Sequence, residues 1–176
     1  MGKTAAELMS ELAKNKEFRA KKSASDERFA DLAKKYAADE KLLVSELNQA
    51  GFSVSSIWDF VNSKNDYLMA EPILVNHLKV HHHPKILAGI ARSLAVVEFS
   101  ENDELWSLLV ELYEKTPSDS DIGIPEERGS QEAIAVALDC LATPKRAASL
   151  KKLVANKPRG DGINWLQEKL INLVNA

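Results

Sequence analysis

The chain has 176 residues, 45% of them hydrophobic, with a formal net charge of −3 and a single cysteine, Cys140. A chain of this length buries a core without metal or disulfide staples, and a lone cysteine excludes an intramolecular disulfide framework and favours a reducing compartment. No apolar run approaches the ~20 residues that cross a bilayer, so we expect a cytoplasmic protein with no membrane partner.

The first predicted element is a short helix that begins at a capping box. Thr4 and Glu7 have the spacing of this motif, and the helix is expected to run to about Lys14. A longer helix is predicted from about residue 17 to residue 50, and Gly51 is its expected stop. The apolar stripe of this longer helix consists of Phe29, Leu32, Ala33, Tyr36, Leu43 and Leu47.

The rest of the chain shows the three-and-four spacing of apolar residues that is typical of amphipathic helices, and no sustained alternation of the strand type. The stretch "SVSSIWDFVNSK" (53–64) predicts a short helix. Further helices are predicted at about 67–80, 84–97, 102–115, 130–142, 144–156 and 162–175. The expected fold class is therefore all-α.

Three helix pairs within residues 67–175 share one apolar pattern. The second helices of the pairs align at Ile90, Leu94 and Val97, at Ile134, Leu138 and Leu141, and at Leu166, Leu170 and Leu173. The offsets are 44 and 32 residues, and removal of a polar insert of about twelve residues, "PSDSDIGIPEER" (117–128), makes them equal. A helix pair that recurs at this period indicates an α-solenoid, in which each pair buries one face against its neighbours.

The stretches "HPKILAGIARSLAVVE" (83–98) and "ELWSLLVELYEK" (104–115) resemble the HEAT-like helical repeat proteins of bacteria, in which a proline opens a helix of small and aliphatic residues and the next helix packs behind it. The resemblance implies a right-handed α-solenoid over residues 67–176 and a non-enzymatic scaffold that binds another protein through an extended surface. Residues 1–66 are expected to form an N-terminal helical segment, with the additional long helix, that packs on the repeats within one continuous domain.

Charge is distributed unevenly along the chain. Residues 98–127 contain ten acidic residues and one basic residue, whereas residues 128–176 contain eight basic and four acidic residues. Solvated helix faces and a polar loop explain such a segment, and so does a surface that attracts a basic partner. The second interpretation predicts an immunity protein or antitoxin that neutralises a basic toxin such as a nuclease. Its partner-binding candidates are Glu98, Glu101, Asp103, Glu104, Glu111, Asp119, Asp121, Glu126 and Glu127.

All four histidines lie within "HLKVHHHPK" (77–85). His77 and His81 are four residues apart, the spacing at which two imidazoles on one helix face can share a zinc ion. No further ligand motif accompanies them, so the stretch is better explained as a helix end, a turn and the start of the next helix at Pro84. Proton sensing by the imidazoles is a further hypothesis.

No motif supplies a nucleophile, a base and an orienting group, so we expect no catalytic residues, no cofactor and no small-molecule substrate. Cys140 lies between leucines in a predicted helix and is interpreted as a packing residue. Nucleic-acid binding is the third hypothesis on function, after protein binding and toxin neutralisation, because basic residues are few and no aromatic residues alternate with them. Its candidate residues are Arg128, Lys145, Arg146, Lys151, Lys152, Lys157 and Arg159.

Overall fold

The computed structural model describes residues 4–7, 14–61, 63 and 67–175, which form helices and turns with no β-strand among them. The predicted all-α class is therefore confirmed. The chain consists of two compact units, Met1–Ala38 and Asp39–Ala176. Within the described residues, no helix combines the length and the apolar character required to span a bilayer.

The capping box predicted at Thr4 and Glu7 is present. The backbone N–H of Thr4 donates to Glu7 Oε2 at 2.8 Å, and the N–H of Glu7 donates to Thr4 Oγ1 at 3.3 Å. The hydrogen bonds that the Glu7 carboxylate accepts, first that from the Thr4 backbone, hold the pKa of Glu7 below its ordinary value. Residues 5–7 are helical, whereas residues 8–13 of the predicted helix lie outside the described part of the chain.

The prediction of one continuous helix over residues 17–50 is wrong, because two helices occupy this stretch. Helix α1 spans Lys16–Asp39 and helix α2 spans Lys41–Gln49. Glu40 lies between them, and its carboxylate Oε2 accepts a hydrogen bond from the backbone N–H of Ile57 at 3.0 Å. The turn that contains Ile57 therefore contacts the junction of α1 and α2. This tertiary contact favours a break in the helix at Glu40, which the apolar spacing of the local sequence does not indicate.

The apolar stripe predicted for this region is buried only in its second half. Leu43 and Leu47 of α2 are fully buried, whereas Phe29 of α1 is 63% exposed. No residue of α1, which the structure describes along its full length, is buried. Lys21 Nζ forms an ion pair with Glu17 Oε1, one turn earlier on α1, at 2.8 Å. Ion pairs at this spacing stabilise a solvent-exposed helix. Apolar spacing thus identifies a helix face and does not show whether that face is buried.

Helix α2 ends at the predicted glycine. Gly51 has a φ of +96°, in the left-handed region that favours glycine. The N–H of Phe52 donates to the carbonyl of Leu47 at 3.0 Å, and the N–H of Gly51 donates to the carbonyl of Asn48 at 3.1 Å. This arrangement is the Schellman motif, so the predicted stop is confirmed.

The chain then forms two short helices, α3 at Trp58–Val61 and α4 at Glu71–Leu78. Helix α3 covers only part of the stretch 53–64 that was predicted to be helical. Asp59 Oδ2 accepts a hydrogen bond from the N–H of Ser55 at 2.7 Å and closes a turn before the helix. This hydrogen bond is the largest cause of the lowered pKa of Asp59. Because this side-chain turn precedes the helix, α3 begins at Trp58 rather than near residue 53.

Five longer helices lie within residues 84–175, each where the sequence predicts one. They are α5 at Pro84–Ser93, α6 at Asp103–Lys115, α7 at Ser130–Leu141, α8 at Ala147–Asn156 and α9 at Ile163–Asn175. The turn between α4 and α5 confirms the predicted helix junction, and His83 Nδ1 accepts a hydrogen bond from the N–H of Lys85 at 3.1 Å as the N-cap of α5. Helix α5 ends at Ser93 rather than near Val97, which is 62% exposed.

The core of the second unit lies between these helices. Helix α5 makes its most extensive contact with α7, which also contacts α6 and α9, and α8 contacts both α6 and α9. Gly89 allows a close approach of α5 to the segment before α3, because a Cβ there would lie 2.6 Å from Ile57 Cγ2. The fully buried aliphatic side chains include Ile90, Leu94, Leu105, Leu109, Ile134, Leu138 and Leu150.

Candidate functional site

A groove lies beside the junction of α4 and α5, and we call it the junction groove. Its volume is about 460 Å³, within the ~300–1,000 Å³ typical of ligand-binding clefts. The walls come from the end of α4 and the following turn, the start of α5, the end of α6 and the polar insert that follows α6. The lining residues are Leu78, Lys79, Val80, His81, His82, Pro84, Leu87, Leu112, Lys115, Thr116, Pro117, Ile122, Glu127 and Ser130.

The surface of the junction groove is mainly aliphatic. Val80 is 51% exposed at its edge, and Leu87 and Leu112 are half-buried. Aliphatic surface of this kind leaves water when an apolar group fills the groove, which contributes about 25 cal/mol per Å² of area covered. The groove therefore suits the apolar side chains of a partner better than a charged small molecule, which requires several converging polar groups.

The basic side chains at the groove are already paired within the chain. Lys79 Nζ lies 2.7 Å from Glu104 Oε1, and Lys115 pairs with Glu111 one turn earlier on α6. Glu127 is half-buried at the opposite wall and has no ion pair within the described residues. The junction groove is therefore lined by two bases that are neutralised within the chain, Lys79 and Lys115, and by one acid that is not, Glu127.

Hydrogen bonds hold the polar insert that forms this opposite wall. Asp119 Oδ1 accepts from the N–H of Gly129 at 2.7 Å, and the N–H of Asp119 donates to Asp161 Oδ2 at 2.6 Å. The guanidinium of Arg128 donates from Nε and Nη2 to the carbonyl of Ile122 at 3.1 and 2.8 Å. Because the insert is tied to itself and to the turn before α9, its wall of the groove is a fixed surface.

The end of α6, a further wall of the groove, is bound from two sides. Lys157 Nζ donates to the carbonyls of Tyr113, Glu114 and Thr116 at 3.2, 2.8 and 2.5 Å. Gln131 Nε2 donates to the carbonyls of Tyr113 and Thr116 at 3.1 and 2.7 Å. These donors satisfy carbonyls that a helix end leaves without an intrahelical partner, and the lysine charge opposes the negative end of the helix dipole.

The phenol of Tyr113 joins α6 to the turn before α9. Tyr113 is fully buried and its Oη donates to the carbonyl of Asp161 at 2.9 Å. Burial raises the pKa of Tyr113 to about 12. The same turn contains Gly160, where a Cβ would lie 2.4 Å from that Oη, so the close packing at this point requires glycine.

Several predicted partner-binding acids form ion pairs within the described chain. Asp103 lies 3.1 Å from Lys145 and 3.4 Å from Arg146, and Glu104 and Glu111 form the lysine pairs at the groove. The hydrogen bond from Lys145 is the largest cause that holds the pKa of Asp103 below its ordinary value. The charge of these three acids is thus partly neutralised before any partner arrives.

The remaining predicted acids lie before α6 or in the polar insert. Glu98 is exposed in a short 3-10 helix, Val97–Phe99, and Glu101 is exposed in the turn before α6. Asp121 Oδ2 accepts a hydrogen bond from Ser118 Oγ at 2.9 Å, and Glu127 lines the junction groove. The insert acids are Asp119, Asp121, Glu126 and Glu127. Of the nine predicted residues, the structure brings Glu127 into the groove.

Many of the basic residues considered for nucleic-acid binding are used inside the chain. Arg146 is 4% exposed, its Nη2 donates to the carbonyl of Asn102 at 3.0 Å, and its guanidinium lies 4.9 Å from the centre of the Trp106 ring. Lys157 and Arg128 donate to backbone carbonyls. Exposed positions are occupied by Arg128, Lys145, Lys151, Lys152 and Arg159.

The structure pairs His77 with His82 rather than with His81. His77 Nδ1 lies 3.1 Å from His82 Nε2, whereas His81 is exposed. The outer nitrogens of the pair face Glu46 and Asp39, residues that are separated from their histidines by 31 and 43 positions. Sequence spacing contains no signal for contacts at such separations. Within the described residues, no group of three or more His, Cys, Asp or Glu side chains is arranged to hold a metal ion.

Cys140 is half-buried near the end of α7. Burial, with a smaller contribution from the charge of Asp139, raises the pKa of its thiol. A raised pKa disfavours the thiolate, which is the reactive form. The environment of Cys140 is therefore that of a packing residue.

Comparison with known proteins identifies no relative. No protein-family model matches the chain, and no curated protein or solved structure matches it significantly. The geometry of the junction groove is therefore the basis for a proposal on function.

Proposed function

We propose that this chain is a non-enzymatic protein that binds another protein through the junction groove. The groove itself supports the proposal, because its aliphatic walls are fixed by hydrogen bonds and it is open at Val80. Both ring nitrogens of His82, the buried histidine in its wall, face other side chains of the chain. The groove thus offers a mainly apolar surface for contact, and His81 and Glu127 are lining residues that form no ion pair within the described residues.

The partner segment that fits this groove combines apolar anchor residues with flanking lysine or arginine. The anchors fill the space between Leu87 and Leu112, where they remove aliphatic surface from water. The flanking bases complement the polar insert, which contains four acids and whose Arg128 is bound to the carbonyl of Ile122. Complementary charge of this kind contributes more to specificity and to association rate than to affinity.

We further propose that residues 67–176 form a right-handed α-solenoid of the HEAT-like type. Contacts of α5 with α7 and of α7 with α9 join the second helices of successive pairs, and the contact of α6 with α8 joins first helices. Within pairs, α4 contacts α5, α6 contacts α7, and α8 contacts α9. A stack of helix pairs requires this order of contacts, and the groove then lies between the first pair and the second.

A narrower version of the proposal makes the partner a basic toxin and this chain its immunity protein or antitoxin. The version is supported by acids that have no basic partner within the described residues, among them Glu98, Glu101 and Glu127. Attraction between exposed charges is screened by salt. Binding in this version therefore weakens steeply as ionic strength rises, whereas binding through apolar anchors alone does not.

Peptide selection followed by substitution at the groove edge tests the proposal. A random peptide library is selected on the purified chain, and the dissociation constant of the enriched peptides is measured by fluorescence anisotropy. We expect the enriched peptides to contain apolar anchors beside lysine or arginine. Val80→Lys places a charge in the groove and should weaken their binding at least tenfold, a change of about 1.4 kcal/mol.

Val97→Lys is the matched control, because Val97 is 62% exposed and lies outside the groove. Its peptide affinity should stay within about twofold of that of the unsubstituted chain, since exposed substitutions away from a contact have small effects. Circular dichroism verifies that both variants keep their helix content. Equal affinity of the peptides for the Val80→Lys and Val97→Lys variants would contradict binding through the junction groove.

A further inference from the structure

Four ionisable side chains form one continuous hydrogen-bonded chain beside the turn between α4 and α5. Glu46 Oε2 lies 3.2 Å from His77 Nε2, His77 Nδ1 lies 3.1 Å from His82 Nε2, and His82 Nδ1 lies 3.1 Å from Asp39 Oδ2. This hydrogen-bonded chain lies within the second unit and joins Asp39, Glu46 of α2, His77 of α4 and His82 of the following turn. Every ring nitrogen of the two histidines is used in it.

The two imidazoles meet edge to edge and are shielded from water. His77 is 2% exposed and His82 is 7% exposed. Their ring centres are 5.2 Å apart, about 2 Å more than the distance between the facing nitrogens, and the ring planes differ by 30°. The facing nitrogens therefore point toward each other, as an N–H···N hydrogen bond requires, and two lone pairs in this position would repel.

A count of protons shows what this geometry demands. Each of the three hydrogen bonds needs one proton between its two atoms, and ionised carboxylates supply none. Two neutral imidazoles supply one proton each, which is one fewer than the chain requires. If the protons of His77 and His82 both lie toward the carboxylates, the facing nitrogens are left as two acceptors. If a proton lies between the rings, one of the two carboxylates faces a bare nitrogen.

We propose that the chain Glu46–His77–His82–Asp39 is a proton-binding site that folding fills, so that the native protein holds three protons on these four groups. The third proton converts one imidazole to imidazolium, which donates at both ring nitrogens and completes every hydrogen bond. The two carboxylates at the ends stabilise the added charge. At pH values above about 7.5, where both imidazoles of the unfolded chain are neutral, folding is thereby coupled to the uptake of one proton.

The sign of the resulting pH dependence follows from the unfolded chain, in which histidines titrate near pH 6.5. Below that pH the unfolded chain protonates both imidazoles and holds one proton more than the native chain, so stability decreases as the pH falls. Above it the unfolded chain releases a proton that the native chain retains, so stability decreases as the pH rises. The unfolding equilibrium constant should increase by up to tenfold per pH unit, the factor for one proton.

Other ionisable groups surround the proton-binding chain without entering it. Glu40 is buried at the start of α2, but its Oε2 accepts hydrogen bonds from Ser56 and Ile57. Asp39 Oδ2 also accepts a hydrogen bond from the backbone N–H of His83 at 3.0 Å, which holds this carboxylate in place. The charged or titratable groups of the turn, of α5 and of the adjoining groove are Lys79, His81, His83, Lys85, Arg92, Lys115 and Glu127.

Glu46→Gln tests the proposal, because the side-chain amide donates where the carboxylate only accepts. Its N–H completes the bond to His77 Nε2, so two neutral imidazoles satisfy the whole chain without a third proton. Urea unfolding is measured between pH 5.5 and 8.0. We expect the tenfold-per-unit contribution to disappear in this variant and to persist in Glu101→Gln, which removes the same charge from an exposed turn.

Parallel pH profiles for the two variants would overturn the proposal. An independent readout on the unsubstituted protein is the imidazole nitrogen spectrum by NMR at pH 7.5. Three protons shared by the rings of His77 and His82 support the proposal, and two protons with two neutral rings overturn it. This readout needs no variant, so a folding defect in Glu46→Gln leaves the proposal testable.

Discussion

Replacement of Lys157 by methionine tests how much the end of α6 depends on one side chain. Lys157 Nζ donates to the carbonyls of Tyr113, Glu114 and Thr116, and methionine keeps much of the apolar stem without the charge. Hydrogen bonds to a charged group contribute about 1.5–3 kcal/mol each, and the interaction with the helix dipole adds about 0.3–1 kcal/mol. Gln131 also binds two of the three carbonyls, so only part of this sum is lost.

We therefore expect Lys157→Met to lower the free energy of unfolding by about 2–3 kcal/mol. For a chain of this size, that change lowers the melting temperature by roughly 4–12 °C, which differential scanning calorimetry resolves. Lys152→Met is the control, since Lys152 is exposed on α8 and its replacement should change stability by no more than about 0.5 kcal/mol. If both variants melt within 2 °C or so of the parent, Lys157 does not stabilise the end of α6 as argued.

Two further predictions concern packing and thiol reactivity. Gly89→Ala should destabilise the fold by about 1–3 kcal/mol in urea unfolding, because its Cβ would lie 2.6 Å from a buried isoleucine methyl carbon. Gly123→Ala is its control: a Cβ there meets nothing within 4 Å, so it should be neutral or stabilise by up to about 1 kcal/mol. The Cys140 thiol, whose pKa is raised by burial, should react several-fold more slowly with a disulfide reagent at pH 8 than the same thiol in urea, and equal rates would refute its shielding.

Features with local causes are predictable from this sequence. The Thr4 and Glu7 capping box, the stop at Gly51 and the helix start at Pro84 each depend on residues within a few positions, and the structure contains all three. The helices within 84–175 follow in the same way from apolar spacing, because a helix repeats its faces every three to four residues.

Features that depend on distant residues are not predictable in this way. The break at Glu40 depends on the backbone of Ile57, 17 residues away, and the partial neutralisation of Asp103 depends on Lys145, 42 residues away. The acid count over 98–127 therefore overstates the charge that remains for a partner.

The histidine stretch shows which features follow from the local sequence and which follow only from the tertiary structure. The sequence by itself determined that four imidazoles lie at the junction of two helices, because the proline and the apolar spacing on either side are local signals. Only the packing of α2 against α4 decided that His77 and His82 lie buried between Glu46 and Asp39. Hydrogen bonds act over about 3 Å, whereas these partners lie 31 and 43 residues apart along the chain. The number of protons that the four side chains require can therefore be inferred only from the folded chain.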